Sequence, residues 1–427
     1  MSVRAALICL AAALMLPGCD VLRQDENYVG PVPIVPKSPT PETPLAPAPA
    51  PAADSEPAKP SVSAPKSSAS FTPPDPKNPI RKFDEILALP SNEFDLAEAV
   101  LALGQEVGAS GDAQATLLEL DTVAARAKAD LPKDPDGQDY FDSLYEVVLN
   151  RKSAEPFRED RLEDYDLTYT VAKHKGACLG VGIMTLAVAR RMGAPIAGAH
   201  CPSHFFLRYV PPPDSKGRVV PVNFDVTRLT PSNWTKLDDD FYRKWQHFDE
   251  HAEAIGAYMR PLTDREVIGV FLSSRSGYFA SRKNFAQALK DADRSLQLNA
   301  RNITACINAG YAQESLGNLK EAKRYYGLAL AIDPNSVRAL NNLAYVKVKN
   351  PDSPEFDPKQ AEKLIETALN MDPNRAYLMA THGEVKAALK DWRGATRCLQ
   401  DAAKLEPKNA AYRERFLFFR EKLRSEK

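Results

Sequence analysis

Apolar residues recur at helical intervals along most of this chain, with a single short break into strand-like alternation near its middle. From Phe83 to about Arg151, Ala97, Val100, Leu101 and Leu103, then Leu117, Leu118, Leu120 and Val123, fall three or four positions apart and predict a helical lead-in. The stretch Cys178–Met192 has no proline and keeps the helical period. It ends in Arg190 and Arg191 before Gly193, with Pro195 just beyond, the signature of a helix stop. After it, Phe205–Val210 and Val219–Phe224 read as two strands, with Asp214-Ser215-Lys216-Gly217 as the turn between them.

The C-terminal third is periodic on a longer scale. Leu298-Asn299-Ala300, Ile332-Asp333-Pro334, Met371-Asp372-Pro373 and Leu405-Glu406-Pro407 close successive units 34, 39 and 34 residues apart. The long unit holds an insertion at Pro351-Asp352-Ser353-Pro354. This is the tetratricopeptide period. Gly310, Gly317, Ala322, Tyr326 and Ala329 stand where the helix pair of that repeat needs small or aromatic packing residues, and Gly383, Trp392, Ala395 and Ala402 repeat much of the pattern. About four repeats and a capping helix from Ala410 are expected, forming an α-helical solenoid whose concave surface suits a protein or peptide partner. Cys306 and Cys398 fall at packing positions of separate repeats.

The candidate chemistry lies between these helical regions. Cys178 opens its helix, where the positive end of the helix dipole favours thiolate over thiol. Folding the hairpin symmetrically about its turn pairs Val210 with Val219 and sets His204 opposite Asp225. Directly paired side chains stand roughly 5 Å apart, so a carboxylate there can orient an imidazole. The same register matches Phe205, Leu207 and Tyr209 with Phe224, Val222 and Val220 on the other face, and a one-residue slip would turn one partner away.

Lys175-Gly176-Ala177-Cys178-Leu179-Gly180, the helix ending Ala189-Arg190-Arg191-Met192-Gly193, and Pro202-Ser203-His204-Phe205-Phe206-Leu207-Arg208-Tyr209 resemble the transglutaminase-like superfamily. More narrowly, the chain is similar to a bacterial group in which a helical lead-in precedes a short transglutaminase-like core and tetratricopeptide repeats follow. The resemblance covers residues from about Phe83 to the C-terminus. It implies an α+β, papain-like core with a Cys-bearing helix packed on an antiparallel sheet. It also implies catalytic roles for Cys178, His204 and Asp225.

Such a site works by nucleophilic catalysis: His204 keeps Cys178 ionised, the thiolate attacks a carboxamide or peptide carbonyl, and the imidazolium protonates the departing amine. The backbone N–H of Cys178 is the one oxyanion donor the sequence nominates. Water cleaving the thioester gives a peptidase or amidase; a lysine amine gives a cross-link. The plainer alternatives are a buried packing cysteine at 178, a half-exposed strand histidine at 204 and an Asp225 that anchors the turn into Thr227–Pro231. If the fold survives only as a binding module, the chain is a non-enzymatic adaptor whose repeats carry the function.

His174, Cys178, His200, Cys201 and His204 also invite a zinc reading, but their spacings match no compact zinc motif, and no metal or cofactor is expected. Cys201, three residues before His204, could form a reversible disulfide with Cys178 or be a buried residue in a strand-entry loop. His247 and His251 stand four apart on an expected helix with no acidic third ligand in register, as on a solvated face.

At the N-terminus, Arg4 precedes an apolar run from Ala5 to Leu16 that ends Leu16-Pro17-Gly18-Cys19 and looks like a lipoprotein signal. The run is too short to span a bilayer. Processing would leave a lipidated Cys19 on a bacterial cell-envelope membrane, facing the periplasm or exterior, and the following Asp20 resembles an inner-membrane retention signal. From about Arg23 to Pro79 the chain holds nearly half of its 35 prolines and few large apolar residues, which describes a semi-rigid tether. The expected organisation is a signal over 1–18, a lipidated tether over 19–80, the core with its lead-in over 81–262 and the repeats over 263–427. A formal net charge of -1 gives no reason to expect nucleic acid as a partner.

Overall fold

A computed structural model of the chain describes residues 73–75, 77–149, 162–174, 176–213, 215–216, 218–226, 236–246 and 248–426. The signal, Cys19, nearly all of the proline-rich segment, Arg151, Thr227–Pro231 and His247 lie outside the described residues. Two compact units emerge. The first draws on Pro60–His247 and Tyr258–Ile268, the second on Phe248–Ala257 and Gly269–Lys427.

In the first unit the expected lead-in is helical: α1 (Phe83–Leu87), α2 (Leu96–Glu106), α3 (Ala113–Ala129) and α4 (Gly137–Leu144), the last running into a π-helical turn at Tyr145–Leu149. Asp95, Asp112 and Asp136 start α2, α3 and α4 by accepting backbone N–H bonds from the first turn. A 3-10 turn (Leu162–Tyr165) and α5 (Leu167–Lys173) lead to α6, which spans Cys178–Met192 as the apolar period predicts. Gly193 ends α6 with a left-handed φ of 75°.

α6 is the central helix of this unit. Leu179, Val181, Ile183, Met184, Leu186 and Val188 are all buried, and the helix packs on α2, α3 and α5 as well as on the sheet. Its last turn is fixed by charge. Arg191 meets Asp95 at 2.8 Å and Asp121 at 2.5 Å, and Arg190 meets Asp264 at 2.8 Å. Burial pushes the Asp95 carboxyl above its usual range, and the Arg191 charge works against that rise.

The sheet is antiparallel with strand order β1-β2-β3-β4: β1 (Ile196–Cys201), β2 (His204–Tyr209), β3 (Val222–Phe224) and β4 (Lys236–Leu237). β1 is an unforeseen strand. It joins β2 through Pro202 and Ser203, with Ser203 at a left-handed φ of 64°, so Cys201 ends a strand and pairs directly with His204. The strand-entry loop expected for Cys201 is thus corrected. α7 (Asp239–Gln246) follows β4 in the first unit, and α8 (Glu250–Ala254) starts anew at an Asp249 cap. His251 therefore sits on its own short helix, and the expected continuous helix through 247 and 251 is interrupted.

The second unit is the helical array. α9 (Asp264–Ser281) gives its first residues to the first unit and the rest to this one. It is followed by α10 (Phe285–Leu298), α11 (Ile303–Ser315), α12 (Leu319–Ile332), α13 (Val337–Lys349), α14 (Pro358–Met371), α15 (Ala376–Ala388), α16 (Trp392–Leu405) and α17 (Ala410–Ser425). The second helices of the pairs end at the four residues that the 34-residue period marked. The small positions act as expected: a Cβ on Gly310 would stand 2.5 Å from the Tyr326 ring, and one on Gly383 would collide with Leu399.

Cys306 and Cys398 sit inside this array, and burial pushes their thiols up to about 12 and about 11. Thiolate is then scarce near neutral pH. In the folded protein at pH 7 both should resist iodoacetamide, labelling only after denaturation; peptide mass spectrometry checks this, and labelling of the native protein would refute it.

Candidate active site

His204 opens β2, and its Nε2 lies 2.9 Å from Asp225 Oδ2, with side-chain exposures of 0% and 1%. A carboxylate accepts, so Nε2 carries the proton and Nδ1 is the basic nitrogen of the neutral ring. The observed register differs from the expected one. Leu207 pairs with Phe224, Arg208 with Asn223 and Tyr209 with Val222, a two-residue offset from the symmetric hairpin. Because strand faces alternate every two residues, the offset keeps His204 and Asp225 on one face and makes them diagonal neighbours.

The other face of β2 holds the Cys178 helix. The Phe205 ring fills the space left by two glycines: a Cβ on Gly182 of α6, or on Gly198 of β1, would stand 2.6 Å from it. Gly182 is one helical turn beyond Cys178, so the first turns of α6 lie against the Phe205 face of β2. Cys178 is 2% exposed, follows an extended N-cap at Ala177 and belongs to the first turn, whose N–H groups α-helical bonding leaves over. Cys178 and Cys201 are thiols, not joined in a disulfide.

The other histidines of the cysteine and histidine cluster are engaged locally. His174 Nδ1 lies 3.0 Å from the Val148 carbonyl oxygen, and His200 packs edge-on against Tyr258 at 5.4 Å. Among the described residues no group of three His, Cys, Asp or Glu side chains is placed to hold a metal ion.

Sequence reasoning missed the groups around the dyad. Arg208 shares the His204 face, is 3% exposed, and donates from Nε to Asn223 Oδ1 (2.8 Å), from Nη2 to Asp239 Oδ1 (2.6 Å) and from Nη1 to the Met259 carbonyl. Asn223 Nδ2 donates to the same Asp239 oxygen at 2.6 Å. These bonds hold the start of α7 against β2 and β3. They bring Tyr242 and Trp245 to centroid distances of 6.0 and 5.2 Å from the His204 ring, with Phe206 at 6.3 Å. The available signal was alternation: Arg208 is four residues after His204, so a buried site for one implies a buried charge for the other.

Comparison with known proteins agrees with this architecture. Residues 114–272 match the model of the transglutaminase-like superfamily, and residues 303–336 match that of the tetratricopeptide repeat. A UPF0162 protein of Xylella fastidiosa is 25% identical over 172 residues, covering 38% of this chain and 57% of its own. The Hsp70-Hsp90 organising protein of Plasmodium falciparum is 29% identical over 101 residues, 24% of this chain and 40% of its own. The first curated relatives are spanned over only 18%, 14% and 11% of their length. A thermophilic tetratricopeptide protein of Thermus thermophilus, 21% identical, covers 35% of this chain and 81% of its own at a TM-score of 0.33. The chain thus carries a transglutaminase-like core over residues 114–272 and a tetratricopeptide repeat within the helical array that follows it.

Proposed function

We propose that the core is a thiol enzyme acting on carboxamide or peptide bonds, with Cys178 as nucleophile, His204 as base and Asp225 as the group that orients the imidazole. The observation that carries this is the buried His204–Asp225 hydrogen bond through Nε2. In this reading the proton sits on Nε2, and the basic nitrogen, Nδ1, takes the Cys178 proton. The thiolate then adds to the carbonyl carbon, the oxyanion is met by the Cys178 N–H, and collapse expels an amine that takes its proton from the imidazolium. The thioester is released by water as an acid or by a lysine amine as a new amide. The repeats recruit the protein substrate or a partner, a role supported by the repeat match and by relatives such as the Hsp70-Hsp90 organising protein. A lipidated Cys19 and the proline-rich tether hold this enzyme at a bacterial envelope membrane.

The 2% exposure of Cys178 favours one other reading, in which the core is a binding module and the protein an adaptor. Alkylation separates the two. With iodoacetamide, Cys178 should label rapidly at pH 6, and His204→Ala should slow that labelling by roughly 10- to 100-fold while leaving pH 9 labelling little changed. Slow labelling of both proteins at pH 6 would overturn the enzyme in favour of the adaptor.

A further inference from the structure

We infer that the second helices of the repeat pairs form a cationic outer surface that lies on the anionic headgroups of the bilayer to which the chain is tethered. The inference goes beyond the thiol-enzyme reading and rests only on the anchor proposed with it, the lipidated Cys19 and the proline-rich tether.

The surface follows from the repeat period. Lys290, Arg324, Lys363 and Arg397 are each the sixth residue of α10, α12, α14 and α16, and Lys320, Lys359 and Arg393 are each the second residue of the last three. The packed side of these helices is marked by Ala288, Ala322, Ala361 and Ala395, all 0% exposed. A residue two positions before or after such an alanine is turned about 200° round the helix, so both rows of cations point away from the packed side. All are exposed except Arg324, which is half-buried. Neighbouring second helices lie side by side: Tyr325 of α12 donates to Asp293 of α10 at 2.7 Å, and Lys323 of α12 meets Glu355, just ahead of α14, at 2.6 Å.

The carboxylates of the same helices leave most of this charge standing. Asp293 is engaged by Tyr325, Glu362 by Lys386 at 2.7 Å and Asp401 by Lys404 at 2.9 Å, while Glu321 takes Arg324 at 2.8 Å. Glu366 is the remaining exposed acid. Lys320, Lys359, Lys363, Arg393 and Arg397 form no ion pair among the described residues. Like charges set in rows repel one another, and a surface of opposite sign relieves that repulsion.

A bilayer is favoured as the occupant for two reasons. The cations are spread over four helices at the repeat spacing instead of being gathered round a pocket, which suits a broad layer of charge. The tether also holds the array beside that layer at an effective concentration of about a millimolar, so a weak contact is enough. Each cation near an anionic bilayer raises partitioning about fivefold. Docked by its second helices, the array leaves the first helices α11, α13 and α15 to the protein partner.

The test measures partitioning of the full-length Cys19→Ser chain, which cannot be lipidated, onto vesicles of phosphatidylcholine alone and with about one third phosphatidylglycerol. The apolar leader contributes to both, so the ratio of the two partition coefficients isolates the effect of charge. The ratio should be at least about 100 at low salt and fall toward one as salt is raised. Adding Lys363→Gln with Arg397→Gln should lower it roughly 25-fold, and Lys320→Gln with Arg393→Gln should do the same, with circular dichroism checking the fold. Arg126→Gln with Lys128→Gln removes the same charge from exposed positions of α3 and should change the ratio less than about twofold. No preference for anionic vesicles, or equal losses in all three pairs, would overturn the surface. A short DNA duplex that strips the chain from anionic vesicles at equal charge would make it a nucleic-acid surface and remove the bilayer as occupant. The anchor is judged apart from this: an intact mass of membrane-extracted wild type without lipid on Cys19 would overturn the tether, whatever the vesicle ratio.

Discussion

Asp225→Asn should raise the pH below which Cys178 loses its reactivity by about 1–3 units, and so slow alkylation at pH 6 by roughly 10- to 1000-fold. The substitution is chosen because an amide oxygen can still accept from His204 Nε2 at the 2.9 Å position, so the ring stays in place while the negative charge is lost. The sign follows from the charges. The carboxylate favours imidazolium, and imidazolium favours thiolate. Without it the imidazolium gives up its proton at lower pH, the pair reverts to neutral thiol and neutral imidazole, and the thiol then ionises only near its ordinary value of about 8.5. Above pH 9 the two proteins should label alike, which distinguishes a lost charge from a lost fold. The measurement is the full pH profile by peptide mass spectrometry. Coincident profiles would reduce Asp225 to an anchor at the end of β3.

Local grammar in the sequence reached as far as element boundaries and chain order. The α6 limits, Cys178–Met192, and the ends of the second repeat helices at Ile332, Met371 and Leu405 are set by residues next to them: arginines before a glycine, or an Asp-Pro or Glu-Pro step that cannot continue a helix, while Leu298 is followed by Asn299-Ala300 at the same point of the period. Register was harder. A symmetric hairpin assumes that both strands run up to the turn, but Pro211–Pro213 and Pro221 lack the N–H a ladder needs, so β2 stops at Tyr209 and β3 starts only at Val222. The shortened ladder settled two residues away, and the site survived because two is the period of a strand. β1 escaped notice because Ile196-Ala197-Gly198-Ala199-His200-Cys201 is buried on both faces and shows no alternation. The Arg208–Asn223–Asp239 clamp joins three elements through side chains up to 31 residues apart, and no local pattern announces such a meeting.

The second large effect concerns stability, in the first helix pair of the array. Arg275 on α9 and Asp291 on α10 are both 0% exposed and bond twice, Nε to Oδ2 at 2.7 Å and Nη2 to Oδ1 at 2.9 Å, while Gln287 donates to the same Oδ1 at 3.0 Å. Asp291→Ala leaves a guanidinium in a dry interior without this carboxylate, and should destabilise the array by about 3–5 kcal/mol, as removing one partner of a buried pair does. The measure is the shift of the helical unfolding transition in urea, followed by far-ultraviolet circular dichroism. Asp401→Ala serves as the control, because its partner Lys404 lies at 65% exposure and the pair should be worth less than about 1 kcal/mol. The double variant Arg275→Met with Asp291→Leu separates two causes. If the loss in Asp291→Ala comes from a stranded charge, the apolar pair should restore most of the stability, since similar volume then fills the site with nothing left to desolvate. If the double variant is as unstable as the single one, the bidentate geometry itself holds α9 and α10 at their packing distance, and the pair is a structural fastener of the first repeat.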